Sequence, residues 1–311
     1  MAVDLDAEFR EAVAAIDAGD APSLSRMLAA KPHLLTARLD TPGAWLRDVV
    51  GDAVAPGGFF ERPYLLWFVA EDPVRNGKLP ANIADVARLI IQAAQQAPAS
   101  SLPEQIEVAL RLVCWSWIAR QCNVQIPLID VLLDAGASSD GRTTYGGRFG
   151  THGDAAIHNG NLAAAEHLVQ RGAPLTLTMA LYLNRWNDVA RLASSATPDE
   201  KRDAFVQAAM CGNAEALRRM LALGVDATTL SSRNQSHATA LHHAVWSANL
   251  DAVRVLVEAG ADTTRTDTIY NASPLGWAEY AESQQKDAAR AARYREIAAY
   301  LREYLSETTR S

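Results

Sequence analysis

Thr239-Ala-Leu-His-His-Ala244, then Asn249-Leu250, then Val255-Leu-Val-Glu-Ala-Gly-Ala-Asp262 is the stretch on which the fold of this 311-residue chain turns, because relatives of each piece recur upstream. Glycines close the segments Leu132-Leu-Asp-Ala-Gly136, Leu168-Val-Gln-Arg-Gly172, Met220-Leu-Ala-Leu-Gly224 and Val257-Glu-Ala-Gly260, at spacings of 36, 52 and 36 residues. A helix followed by a tight reversal needs a residue at positive φ, which glycine adopts without steric cost. A second landmark, an Ala-x-x-x-Gly-Asn turn, occurs at Ala156–Asn161 and Ala208–Asn213, its glycine 12 residues before the helix-ending one; Ala248-Asn249 stands in the same place of the last strong unit. The 52-residue spacing is too long for one unit and too short for two, which predicts a truncated helix pair over Met179–Ala193.

Together these segments resemble the ankyrin repeat, a unit of about 33 residues that opens with Thr-Pro-Leu-His-x-Ala and consists of a β-turn and two antiparallel helices. The pattern is strongest over 151–178 and 203–276. The resemblance implies an all-α ankyrin-repeat solenoid of about eight helix pairs, with short β-turn fingers and capping terminal units. One array is expected over 1–311: an N-terminal capping unit at 1–39, an inserted aromatic loop at 40–62, enlarged degenerate units at 63–139, central repeats at 140–270 and a C-terminal capping unit at 271–311. The enlarged front units resemble those of bacterial-type ankyrin proteins. The first unit is read from Ala15-Ile-Asp-Ala-Gly-Asp20, and the last from Ser273-Pro-Leu-Gly-Trp-Ala278, with its second helix delayed by the polar segment Glu282 to Arg293.

Composition fits a folded chain: 49% hydrophobic, 21% charged, with 29 basic against 36 acidic residues and a net charge of −7. That acidity argues against nucleic acid or an anionic membrane as partner, since both need a clustered cationic surface. No run of 18 apolar residues and no charged leader before an apolar core is present, so neither membrane insertion nor secretion is expected. Cys114, Cys122 and Cys211 lack metal-ligand spacing and leave an odd count, for which a reducing cytoplasm is the simplest setting; the resemblance implies no cofactor.

The front third departs most from the repeat. The insertion 40–62 is rich in turn formers yet carries Trp45, Phe59 and Phe60, so it is expected to pack onto the array. Pro63–Ala70 takes the place of a first helix, Ile83–Ala94 reads as the second, and the next unit reads as one long helix over Ile106–Ala119 followed by Ile126–Ala135.

By the resemblance, the concave groove is lined by the first-helix position after the motif His and the position three residues later: Ala155 and His158, Gln207 and Met210, His243 and Trp246. Fingers add Gly141–Gly150, Ser231–His237 and Thr264–Tyr270. The leading expectation is therefore a protein partner held in the groove by Tyr145, Arg148, Phe149, His158, Met210, His237, His243, Trp246 and Tyr270, a surface of the aromatic and Arg composition that carries binding energy. His242 occupies the motif His position and is read as a structural brace.

The alternative is an enzyme or small-molecule binder. In it the 40–62 loop roofs a pocket walled by Trp45, Phe59, Phe60, Tyr64 and Trp67, with His152, Asp154, His158, His243 and Glu71 as acid/base groups. His152, Asp154 and His158 also admit a plainer reading, in which Asp154 replaces the motif His in bracing its turn. Cys114 and Cys211 fall at core-compatible helix positions and read as inert thiols.

Overall fold

Threonine and serine set the helix starts. Thr151, Thr176, Thr197, Thr239 and Ser273 each precede a helix and accept, through the side-chain oxygen, the amide of the third residue onward. Such N-caps satisfy one of the donors that a helix start leaves without an intrahelical acceptor. In the computed structural model, which describes residues 4–70, 75–97, 100–141, 150–230 and 236–308, these caps open the first helix of each hairpin from Thr151 onward. The chain divides into two compact units, Met1–Pro174 and Leu175–Ser311.

In the first unit the hairpins are α1 (Leu5–Ala18) with α2 (Ala21–Ala30); a 3₁₀ segment, Leu65–Ala70, with α4 (Ile83–Gln96); α5 (Leu102–Trp115) and α6 (Trp117–Gln121) with α7 (Gln125–Asp134); and α8 (His152–His158) with α9 (Leu162–Gln170). The insertion adds a short α3 (Ala44–Val50). One layer runs α1, Leu65–Ala70, α5, α8 in contact order, and the other runs α2, α4, α7, α9. The second unit pairs α10 (Leu177–Tyr182) with α11 (Trp186–Ser195), α12 (Pro198–Met210) with α13 (Ala214–Ala222), α14 (Ala240–Trp246) with α15 (Leu250–Glu258), and α16 (Pro274–Gln284) with α17 (Ala288–Thr308). There α10, α12, α14 and α16 touch in succession, as do α13, α15 and α17. Fully buried alanines, among them Ala156, Ala180, Ala209, Ala244 and Ala278, let neighbouring helices approach closely. Among the described residues this is all-α architecture; the β element recorded is an isolated antiparallel bridge between Arg38 and Tyr64.

The reversals fall where the sequence places them. Gly136, Gly172, Gly224 and Gly260 have φ of 109°, 100°, 83° and 87°. Within the hairpins Gly212 turns at φ 65°, whereas Ala248 takes the same role at φ 60° despite its Cβ. The truncated pair expected over Met179–Ala193 is α10 with α11, starting two residues earlier and ending two later.

Four expectations are corrected. Pro63–Ala70 does not form an α-helix. The Arg38–Tyr64 bridge holds the chain extended as far as Tyr64, and all six residues from Leu65 to Ala70 are buried, which leaves no solvent face for an amphipathic helix. The long helix over Ile106–Ala119 begins at Leu102 and breaks at Ser116, whose hydroxyl caps α6 by accepting the Ala119 amide. Carbonyls released by that break are taken up by side chains: the Gln125 amide donates to Val113 at 3.0 Å and the Asn161 amide to Cys114 at 2.7 Å. The helix expected over Ile126–Ala135 occupies Gln125–Asp134. The polar stretch Glu282 to Arg293 does not delay the last helix; α16 reaches Gln284 and α17 starts at Ala288, so most of the stretch is helical.

The insertion packs against α1 and Leu65–Ala70. One carboxylate oxygen of Asp6 accepts the Gly43 amide at 2.7 Å and the Trp45 indole N–H at 2.8 Å, and the Trp45 ring stacks on Phe68 with centroids 6.3 Å apart. Phe60 is buried against Trp67 and Phe68.

Candidate functional site

On α14, Thr239 and His242 form a reciprocal cap. The threonine hydroxyl lies 2.8 Å from His242 Nδ1, while His242 Nε2 lies 3.0 Å from the carbonyl oxygen of Ala272. His242 thus braces its own turn and the finger that leads to α16, with Nε2 as donor and Nδ1 as acceptor; burial holds its pKa below the usual histidine value. The next residue on the helix, His243, is buried too, but it packs laterally on Trp277 of α16 at 6.1 Å.

Trp277 is the centre of a ring cluster. Around it lie His242 at 5.1 Å, Trp246 at 5.9 Å and His237 at 6.0 Å, and His237 in turn touches His243 at 6.3 Å and Tyr270 at 6.2 Å. Four of the residues expected to bind a partner, His237, His243, Trp246 and Tyr270, are therefore brought together in the second unit. The outward side is open: Trp246 is 49% exposed, Tyr270 71%, Tyr280 60% and Ile269 63%. Met210 is half-buried on α12.

Beneath the cluster Asp267 organises the finger. Its Oδ1 accepts the amides of Ile269 at 2.9 Å and Tyr270 at 2.6 Å, and its Oδ2 accepts the Ala272 amide at 3.1 Å and the Trp277 indole N–H at 2.9 Å. Burial works against the charge, but the Tyr270 amide, the indole and the Ile269 and Ala272 amides outweigh it and hold the carboxyl at about 2. Sequence reasoning missed both Asp267 and Trp277. A signal for Trp277 existed. Ser273-Pro-Leu-Gly-Trp aligned on Thr239-Ala-Leu-His-His puts Trp277 where His243 stands and Tyr280 where Trp246 stands.

In the first unit the His152, Asp154 and His158 trio divides among separate tasks. His152 is fully buried, with Nε2 2.8 Å from Glu107 Oε1 of α5. Asp154 closes a capping box with Thr151, accepting its amide at 3.0 Å. His158 lies against Trp115 at 5.9 Å. Glu107 also accepts the Ser138 amide at 2.9 Å, and Arg111 donates to the carbonyls of Gly150 and Thr151 at 3.2 and 2.7 Å, so α5 holds both Ser138 and the residues that lead into α8. Burial opposes ionisation of Glu107, but hydrogen bonds from His152 and Ser138 and the nearby Arg111 charge leave it below the usual glutamate value. Neither Glu107 nor Arg111 was singled out from sequence. Cys114, buried on the same helix, is pushed up to about 12.

The proposed pocket walls are mostly core. Phe60, Tyr64 and Trp67 are buried, Trp45 is tied to Asp6, and Arg38 lies over the Tyr64 and Trp67 rings at 4.9 and 5.5 Å; Phe59 is partly exposed. Tyr145, Arg148, Phe149 and Glu71 lie outside the described residues. Among the described residues no group of three or more His, Cys, Asp or Glu is placed to hold a metal ion, and no helix is long and apolar enough to cross a membrane.

A family model for ankyrin repeats, in three copies, matches residues 154–267. No curated protein matches the chain. Among solved structures, the human ASB11 ankyrin repeat domain is similar at 17% identity, over 71% of this chain and 98% of that one, with a TM-score of 0.36. The ankyrin repeat domain of Bcl-3, described as a member of the IkappaB protein family, is similar at 16% identity, over 91% of this chain and 97% of that one, with a TM-score of 0.37. Over residues 154–267, where the family match, the Thr-capped first helices and the left-handed reversals coincide, the chain carries ankyrin repeats.

Proposed function

We propose that the second unit recognises a protein partner through the first-helix side of α14 and α16 together with the finger 264–270. Ankyrin repeats generally mediate protein–protein interaction, and one observation points to this place on the chain: Trp246, Ile269, Tyr270 and Tyr280 stay largely exposed around the half-buried Trp277 and His237. Large aromatics held on a braced scaffold are the composition of interface hot spots, since their rings bury much area for little lost freedom. Met210 on α12 extends the same side of the unit. His158, with Tyr145, Arg148 and Phe149, belongs to the first unit and is proposed as a partner contact of that unit alone. A cytoplasmic setting goes with this reading, in keeping with three free thiols.

The pocket reading receives no support from this arrangement. Its aromatic walls are occupied with one another and with Arg38, its His152 is occupied by Glu107, and His243 belongs to the other unit. The test of recognition is the double variant Trp246→Ala/Tyr270→Ala in a crosslinking capture experiment, with the melting curve measured alongside. Tyr270 is mostly and Trp246 about half solvent-facing, so the fold is expected to lose no more than about 1–2 kcal/mol while specific capture falls at least tenfold. Capture equal to that of the unaltered chain would remove this surface from consideration.

A further inference from the structure

The ring cluster has an electrostatic asymmetry. Its central indole donates N–H to a carboxylate that is 3% exposed and that remains ionised down to about pH 2. An N–H bonded to an anion draws electron density into the ring, which adds to the negative potential that the face of an aromatic ring already presents. We propose that the Trp246–Tyr270–Trp277 surface is selective for a cationic side chain, an arginine or lysine of the partner segment, seated over these rings. This deepens the recognition proposal above and rests on it.

The chain already uses this pairing elsewhere. Arg219 lies over Trp186 at 4.8 Å, Arg254 over Tyr300 at 5.6 Å and Arg290 over Tyr294 at 5.8 Å. Trp246 and Tyr270, about half and mostly exposed, offer the same chemistry outward. Long-range attraction points the same way, because the chain carries a net charge of −7. Among the described residues two cations stand at the rim: Arg290, whose guanidinium reaches the Trp246 carbonyl at 3.4 Å, and Arg265, whose charge is felt by His242. Glu279 and Glu282 of α16 are paired with Arg302 and Arg295. The rim therefore offers no free carboxylate among these groups, and the preference must come from the rings and Asp267.

The experiment is a selection of displayed random twelve-residue peptides on the full-length chain, with Trp246→Ala/Tyr270→Ala as counter-selection to isolate binders that need the rings. The expected result is enrichment of arginine or lysine among ring-dependent peptides, with affinity falling about three- to fivefold when the key arginine of one synthetic peptide is exchanged for neutral citrulline. Ring-dependent peptides without basic residues, or with acidic ones, overturn the charge preference and leave the recognition surface standing. So does a citrulline peptide that binds equally well. Absence of any ring-dependent peptide overturns the surface itself, and this inference with it.

Discussion

Replacing Asp267 with alanine deletes one side chain and strands four donors: the amides of Ile269, Tyr270 and Ala272 and the Trp277 indole. Ile269 and Tyr270 lie at the surface, where water can stand in for the carboxylate. The Ala272 amide and the indole are less accessible, and a buried donor left without acceptor costs about 1–3 kcal/mol. Two such donors give roughly 2–6 kcal/mol of destabilisation for Asp267→Ala. Asp267→Asn keeps an oxygen acceptor without the charge, and is expected to lose roughly half as much. The pH dependence has a definite sign. Because the folded-state pKa is depressed from 3.8 to about 2, the stabilisation is present above the ordinary carboxylate range and is lost as pH falls from about 4 to about 2. Denaturant unfolding of both variants, with hydrogen exchange read over 264–278, checks this. The amides of Ile269, Tyr270 and Ala272 should lose protection, and the acid limb of the unaltered chain should flatten in Asp267→Asn. If both variants keep the original midpoint and exchange pattern, the carboxylate is not the organiser of the finger.

Gly212→Ala should destabilise by about 1–3 kcal/mol in denaturant melts, because the residue sits at φ 65° and its added Cβ would meet Asn249 Cβ and Ser247 Oγ at 2.7 Å. Ala248→Gly should change stability by less than about 0.5 kcal/mol: relief of positive φ is offset by loss of a methyl packed with Ala281 and Tyr294 and by the added freedom of the unfolded chain. Glu107→Gln should cost about 1–3 kcal/mol near neutral pH. Since the folded-state pKa of Glu107 is lowered, its contribution holds above the usual glutamate range and is lost as pH falls through the lower folded value; an unchanged acid limb in the variant would refute the clasp. Cys114, buried with its pKa at about 12, should stay unmodified by a thiol reagent at pH 8 in the native chain and react once denatured, as mass mapping of the labelled sites would show.

How far the sequence carries depends on the distance over which each cause acts. Thr239 caps α14 three residues from its partner amide, and the glycines at 136, 172, 224 and 260 serve reversals within a residue or two, so hairpins and register are legible from local pattern. The repeat rule places Trp246 on an exposed position, as found, but His243, which the same rule puts on that side, is buried against Trp277; Trp277 and Tyr280 follow from the same rule carried one unit further, but Gly276 in the motif His position obscured the match.

What the sequence by itself determined is the repeating helical hairpin, its caps and its turns, since these depend on side chains a few residues apart. Only the tertiary structure decided that Asp267 grips an indole ten residues away, that Glu107 and His152 meet across 45 residues, and that Leu65–Ala70 stays a 3₁₀ turn under the folded-back insertion. Those choices depend on which groups share a buried space once the helices have stacked, where a donor must find its acceptor or carry the full penalty of its burial.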